Sequence, residues 1–95
     1  MAPLWQRALP LERELLQTVD KQKSFTFKVV SESCIEVTTE SGGVHTISRI
    51  QFDRVDKKKL VVAGVTPDQL KREAGVKKGQ SYIAGIIDEV IKRGL

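Results

Sequence analysis

The strongest constraint on the fold is a switch from helical spacing of apolar residues to strict alternation near residue 24. Between residues 24 and 30, Phe25, Phe27 and Val29 alternate with polar residues. A period of two is typical of a β-strand with one buried face, whereas an amphipathic helix repeats every 3.6 residues. The chain is therefore expected to contain a sheet, one side of which other elements must cover.

Two further segments continue the alternation and are separated by turn-forming residues. A polar stretch precedes Ile35 and Val37, and Ser41-Gly42-Gly43 then reverses the chain. Short strands joined by tight turns are typical of an antiparallel meander. We predict three strands, over residues 24–30, 34–39 and 44–47.

The length of the loop after the second strand sets the register of the next pairing. A three-residue loop places Val37 opposite Ile47, so that two apolar residues share the buried face. A four-residue loop would instead place Val37 opposite Thr46. We prefer the three-residue loop, in which Gly42 or Gly43 supplies a left-handed conformation.

A first amphipathic helix is predicted before the sheet, from Pro10 to Lys21. Apolar residues recur there at helical spacing: Leu11, Leu15, Leu16 and Val19. Proline suits the first turn of a helix, where its missing N–H removes no helical hydrogen bond. The preceding residues 1–9 fit two interpretations, a frayed terminus or a short extra turn that packs the Trp5 indole onto the core.

Two helices after the sheet are predicted from their start signals, a capping hydroxyl followed three residues later by a glutamine. The signals are Ser48 with Gln51, before a helix from Arg49 into the lysines 57–59, and Thr66 with Gln69, before a helix from Pro67 to Ala74.

A final, longer helix is predicted with Ser81 as its cap and Gly94 at its end. Its apolar residues form one continuous stripe, which should face a core: Tyr82, Ile83, Ile86, Ile87, Val90 and Ile91. Its other side carries the i, i+4 pairs Asp88 with Lys92 and Glu89 with Arg93.

The order of these elements predicts an α+β fold for residues 1–95, as a single small globular domain. An N-terminal helix precedes a three-stranded antiparallel β-meander, and two or three C-terminal helices pack on one sheet face. The expected core joins the apolar sheet face to the later helices: Phe25, Phe27, Val29, Ile35 and Val37 against Phe52, Val55, Ile83, Ile86, Ile87 and Val90.

Charge is distributed unevenly along the chain, whose formal net charge is +4 and whose pI is about 9.4. Residues 1–40 contain five Lys or Arg and six Asp or Glu, whereas residues 41–95 contain eleven and six. Bases cluster within the second part: Arg54, Lys57, Lys58, Lys59, Lys71, Arg72, Lys77 and Lys78. Such an excess favours polyanion binding, although solvated helix surfaces and ordinary loop lysines give the same composition.

The segment from Leu70 to Val76, followed by polar residues and then by Tyr82 to Ile87, resembles the helix-turn-helix of bacterial repressors. In that family an Ala-Gly-Val-type turn separates a supporting helix from a recognition helix in the major groove of DNA. The resemblance, over residues 66–91, implies packing roles for Leu70, Ala74, Val76, Ile83 and Ile87. It implies a position near DNA for Lys77, Lys78, Gln80, Ser81 and Ala84.

Enzymatic chemistry has little support in the sequence. A nucleophile and base could come from Cys34 and His45, but the preferred register points these side chains to opposite faces. The acidic residues lack a spacing that predicts a metal-dependent nuclease, and neither a metal-ligand cluster nor a glycine-rich phosphate loop is present. We therefore expect no catalytic residue, metal or cofactor.

A cytoplasmic location without a membrane partner is expected. No apolar run has the length of a membrane span, and the first residues lack the pattern of a secretion signal. The lone Cys34 cannot form an internal disulfide, which fits a reducing compartment.

Two functional hypotheses follow from these patterns. In the first, the protein is a small nucleic-acid-binding module for DNA or another nucleic acid, contacted through Lys57, Lys58, Lys59, Lys71, Arg72, Lys77, Lys78, Gln80 and Ser81. In the second, it is a protein-interaction or assembly module, as a homodimer or with another protein. That module would use an exposed sheet edge or the leftover apolar side of the N-terminal helix.

Overall fold

A computed structural model describes residues 2–95. Helix α1 and a single 3₁₀ turn come first, four strands follow, and three helices complete the chain. The bounds are α1 Leu4–Ala8, the 3₁₀ turn Leu9–Leu11, β1 Leu16–Gln17, β2 Ser24–Ser31, β3 Cys34–Thr39, β4 Val44–Ser48, α2 Arg49–Lys57, α3 Pro67–Glu73 and α4 Gln80–Arg93.

The sheet is antiparallel with the strand order β1-β2-β3-β4. The predicted α+β class and the meander β2-β3-β4 are confirmed. The prediction missed β1, a two-residue strand in which Leu16 pairs with Phe25. A strand this short contains too few residues to show alternation, so periodicity cannot detect it.

Both predicted registers between β3 and β4 are wrong. Val37 lies opposite His45, and Ile35 lies opposite Ile47. The last pair before the loop is Thr38 with Val44, so the loop contains residues 39–43. Its closure explains the difference, because the Thr39 amide donates to the Gly43 carbonyl at 2.8 Å while the Thr39 hydroxyl accepts from the Gly43 amide at 2.9 Å.

The predicted helix from Pro10 to Lys21 is wrong. Arg13 has a left-handed backbone, with φ at +67°, which is incompatible with a continuous helix. Its amide donates to the Phe27 carbonyl at 2.8 Å, and the Glu12 carboxylate accepts from the Val29 amide at 2.8 Å. The segment therefore runs along the outer edge of β2 and satisfies backbone groups there, while Leu15 remains 71 % exposed.

The N-terminal helix lies earlier than predicted, and it buries Leu4, Trp5 and Ala8. The Trp5 ring meets the Phe52 ring edge to face, with centroids 5.3 Å apart and planes at 88°. Of the two interpretations of residues 1–9, the short packed turn is confirmed for residues 4–8, and Met1 lies outside the described residues.

The start signals of the later helices have different outcomes. At α3 the capping box is confirmed, since the Thr66 hydroxyl accepts from the Gln69 amide and the Gln69 side chain accepts from the Thr66 amide, each at 3.1 Å. At α2 the Ser48 hydroxyl accepts from the Ile50 amide at 3.3 Å, so Ser48 is the cap. The Gln51 side-chain oxygen does not complete a capping box. It accepts instead from the Lys77 amide, in the turn before α4.

The predicted Ser81 cap of α4 is wrong. Gly79, with φ at +78°, occupies the position before the helix and offers no side chain. A Cβ at Gly79 would lie 2.5 Å from Ile47 Cδ1, so this turn packs directly on β4. The other end is as predicted, because Gly94 ends the helix in a left-handed conformation.

The hydrophobic core lies between the sheet and the helices, with α4 as its longest buried element. Of the eleven predicted core residues, ten are buried and Val29 is partly buried. Ile50 on α2 is 59 % exposed. Members of the core that lie outside the predicted set are Leu4, Trp5, Ala8, Leu11, Leu16, Ile47, Val65, Leu70, Ala74, Val76 and Ala84.

Candidate nucleic-acid interface

The turn between α3 and α4 is held against one side of α2 by two hydrogen bonds. The Arg54 guanidinium donates to the Gly75 carbonyl at 2.8 Å. The Lys77 amide donates to the Gln51 side-chain oxygen at 3.3 Å. Gln51 and Arg54 are three residues apart, so they lie on one side of the helix. These bonds hold the backbone that carries Lys77 and Lys78 against the side of α2 that carries Arg54.

Acidic residues of α2 face the opposite way, towards α1. The Asp56 carboxylate accepts from the Leu4 amide at 3.0 Å and 3.2 Å to its two oxygens. Asp53 and Asp56 line a groove there together with Arg7 and Lys59. The carboxylates of α2 therefore lie on the α1 side, whereas Arg54 lies on the side of the turn.

We call the surface formed by Arg54, Lys58, Lys77 and Lys78 the basic surface. Lys58 follows Arg54 by about one helical turn, and Lys58, Lys77 and Lys78 are exposed. Lys57 is exposed next to this surface, at the last position of α2. In the sequence, Arg54 belongs to the cluster of basic residues, but it is not among the predicted binding residues.

Three other predicted binding residues lie apart from this cluster. Lys59 has a left-handed backbone, with φ at +56°, and faces the groove that contains Asp53 and Asp56. Lys71 and Arg72 are exposed on α3, where the Arg72 guanidinium pairs with the Asp68 carboxylate at 2.7 Å. The pair reduces the local positive charge of Arg72. Because both side chains are exposed, it contributes little to stability.

The first turn of α4 contains the two predicted polar binding residues, and both side chains have partners. The Gln80 amide nitrogen donates to the Val76 carbonyl at 3.0 Å, and the Ser81 hydroxyl donates to the Asp20 carboxylate at 3.4 Å. Ala84, which the repressor resemblance placed near DNA, is 0 % exposed. That expectation is wrong at Ala84, because a buried methyl group cannot contact a ligand.

The five positions to which the resemblance gave packing roles are all buried: Leu70, Ala74, Val76, Ile83 and Ile87. Burial of apolar residues in this pattern is expected for any helical hairpin on a core, so it does not by itself distinguish a DNA-binding motif.

Cys34 and His45 point to opposite sides of the sheet, as predicted, despite the different register. His45 pairs with Val37 on the side of the sheet that the helices cover, although His45 itself is exposed, whereas Cys34 pairs with Ser48 on the other side. Among residues 2–95, no group of three or more His, Cys, Asp or Glu side chains is arranged to hold a metal ion. Nor does any helix in this range combine the length and apolarity that crossing a bilayer requires.

Ion pairs at the far end of α4 raise the pKa values of Lys92 and Arg93. A side-chain hydrogen bond to Asp88 raises the pKa of Lys92 above its ordinary value. The pKa of Arg93 is raised most by its side-chain hydrogen bond to Glu14 and next by its bond to Glu89. These pairs confirm the predicted i, i+4 contacts, and the bond to Glu14 also attaches the helix to the segment before β1.

No protein-family model, curated protein or solved structure matches this chain significantly.

Proposed function

We propose that this protein is a small, non-enzymatic nucleic-acid-binding module that contacts phosphates through the basic surface. The observation that supports this function best is the pair of hydrogen bonds between α2 and the turn of residues 75–79. They hold the turn that carries Lys77 and Lys78 against the side of α2 that carries Arg54. The carboxylates of α2 face α1 instead.

The chemistry of this surface fits sequence-independent phosphate binding. Lysine ammonium groups act as flexible point charges, and Arg54 is already committed to a backbone carbonyl. Each phosphate that is neutralised releases counterions, so contacts from the three lysines predict a slope of about −2.7 for log K against log salt with duplex DNA. Lys57, Lys59, Lys71, Arg72, Gln80 and Ser81, which lie outside the basic surface, stay predicted contributors.

The test is fluorescence anisotropy of labelled single- and double-stranded oligonucleotides at low and near-physiological salt. The double variant Lys77→Glu/Lys78→Glu should weaken binding more than about ten-fold and reduce the salt slope by about two. The matched control, Lys28→Glu/Lys92→Glu, makes the same change of net charge. Both of its lysines form exposed ion pairs elsewhere, with Glu36 and Asp88.

The control should bind within about three-fold of the wild type, since its lysines lie off the basic surface. An equal loss in the two double variants would show that net charge alone drives binding. No binding at low salt would refute the proposed function.

A second candidate function is self-assembly through the free edge of β4. In an antiparallel pair, every second residue directs its N–H and C=O towards the neighbouring strand. Because the Thr39 amide bonds to the Gly43 carbonyl, the backbone groups of His45 and Ile47 point to β3 and those of Val44 and Thr46 point away from it. Within residues 2–95, no backbone hydrogen bond reaches them from another segment. The opposite edge, along β2, is instead blocked by Glu12 and Arg13.

An open edge can pair with the same strand of a second copy. Thr46→Pro would remove the outward N–H, whereas Thr46→Val keeps it. Light scattering after size exclusion should then find a dimer for the wild type and Thr46→Val and a monomer for Thr46→Pro. A wild type that stays monomeric at high concentration would exclude this assembly, and Lys77→Glu/Lys78→Glu should leave it intact.

A further inference from the structure

A depression of about 390 Å³ lies beside the first turn of α4. Its wall includes the residues that join β1 to β2, the loop from β3 to β4, and the start of α4. Its aromatic side consists of His45 and Tyr82, and Lys21 and Lys23 line another part of it. The volume is sufficient for one nucleobase with its sugar, and the depression is open to solvent.

Three rings in successive contact lead from the core to this depression. Phe25 is 1 % exposed, and its centroid lies 5.2 Å from that of Tyr82, with planes at 67°. The Tyr82 and His45 rings are tilted by 32° to each other, with centroids 5.4 Å apart. His45 is exposed. The core therefore supports a flat ring at the surface, which is the feature that stacks unpaired bases in single-strand-binding proteins.

The polar groups of the depression suit a base on the inside and a phosphate on the outside. Ser41 presents a hydroxyl that lies 3.1 Å from that of Thr39, and Glu40 adds a carboxylate that can accept from a base N–H, such as N3–H of thymine. Asp20 would repel a phosphate, but its oxygens accept from the Lys21 amide at 2.9 Å and from Ser81. The ammonium groups of Lys21 and Lys23 supply the opposite charge.

The depression and the basic surface lie on either side of the same short segment. Ser81 lines the depression, and Lys78 of the basic surface precedes it by three residues. Three residues span at most about 11 Å, so a few nucleotides of one strand can reach both places. A duplex cannot place a base in the depression unless a base pair is broken, because its bases are paired and stacked.

We propose that this depression binds one unpaired base of a single-stranded nucleic acid, stacked on His45, while the adjacent phosphates contact the basic surface. This inference rests on the proposed function and narrows it to single strands. Lys21, Lys23 and the hydroxyls of the loop complete the site.

The experiment compares a short labelled oligothymidylate with a duplex of the same length, using wild type, His45→Ala and His45→Phe. The wild type should bind the single strand at least about ten-fold more tightly than the duplex. His45→Ala should remove that difference and leave duplex binding unchanged, and His45→Phe should retain it because a ring remains available for stacking. Circular dichroism of each variant establishes that it folds.

Amide chemical shifts of the wild type, titrated with the same oligothymidylate, test the site without any substitution. Changes at Gly43, His45 and Ser81 are expected. Changes confined to residues 75–79, with equal binding of duplex and single strand, would overturn this inference and leave the proposed function standing. Failure of both nucleic acids to bind at low salt would overturn both.

Discussion

At the scale of single residues, Gly79 determines how the basic turn joins α4, for two separable reasons. Its φ of +78° is unfavourable for residues with a side chain, and a Cβ there would lie 2.5 Å from Ile47 Cδ1. Gly75 shares the first property, with φ at +70°, but a Cβ there would meet nothing within 4 Å. The two glycines therefore separate backbone strain from steric overlap.

We expect Gly75→Ala to lower the free energy of unfolding by about 1 kcal/mol, from backbone strain alone. Gly79→Ala should lower it by about 1–3 kcal/mol more, because Ile47 is fully buried and must move to accept the methyl group. Urea denaturation of both variants measures the difference. Equal losses would mean that Ile47 shifts at no cost and that the close approach is unimportant.

At the scale of elements, the segment before β1 shows why periodicity fails for part of this chain. Leu11 and Leu16 are buried as a helix pattern requires, yet Leu15 is 71 % exposed. The Glu12 carboxylate and the Arg13 amide bond to β2, whose outer edge would otherwise keep unpaired groups. Spacing of apolar residues reports burial but not this long-range pairing, whereas local signals such as the Thr66 cap were sufficient for α3.

Removal of the Glu12 carboxylate tests this edge contact. Glu12→Ala leaves the Val29 amide without the acceptor that lies 2.8 Å away, so we expect a loss of about 1 kcal/mol and faster hydrogen exchange at Val29. Glu12→Gln keeps a side-chain oxygen and should lose less. Unchanged exchange at Val29 in Glu12→Ala would show that solvent satisfies this amide equally well.

At the scale of the whole molecule, the sequence located the core far better than the basic surface. Alternation and helical stripes identified ten buried residues correctly, because burial is what those periods record. The basic surface depends on the contact of Arg54 with Gly75, which are 21 residues apart, and no local pattern encodes a contact at that separation. The sequence therefore identifies the basic residues, but it does not show which of them lie together in the basic surface.

The central position of α4 leads to the last prediction, which concerns the fold as a whole. Ile86 is 0 % exposed in the middle of α4, so Ile86→Asp places a carboxylate in the core and should abolish cooperative folding. Ile50→Asp makes the same chemical change at a side chain that is 59 % exposed, and it should change stability by less than about 0.5 kcal/mol. Far-UV circular dichroism with thermal melting compares the two. A cooperative melt of Ile86→Asp near that of Ile50→Asp would contradict the placement of α4 at the centre of the core, and with it the support that α4 gives to Tyr82 and the basic turn.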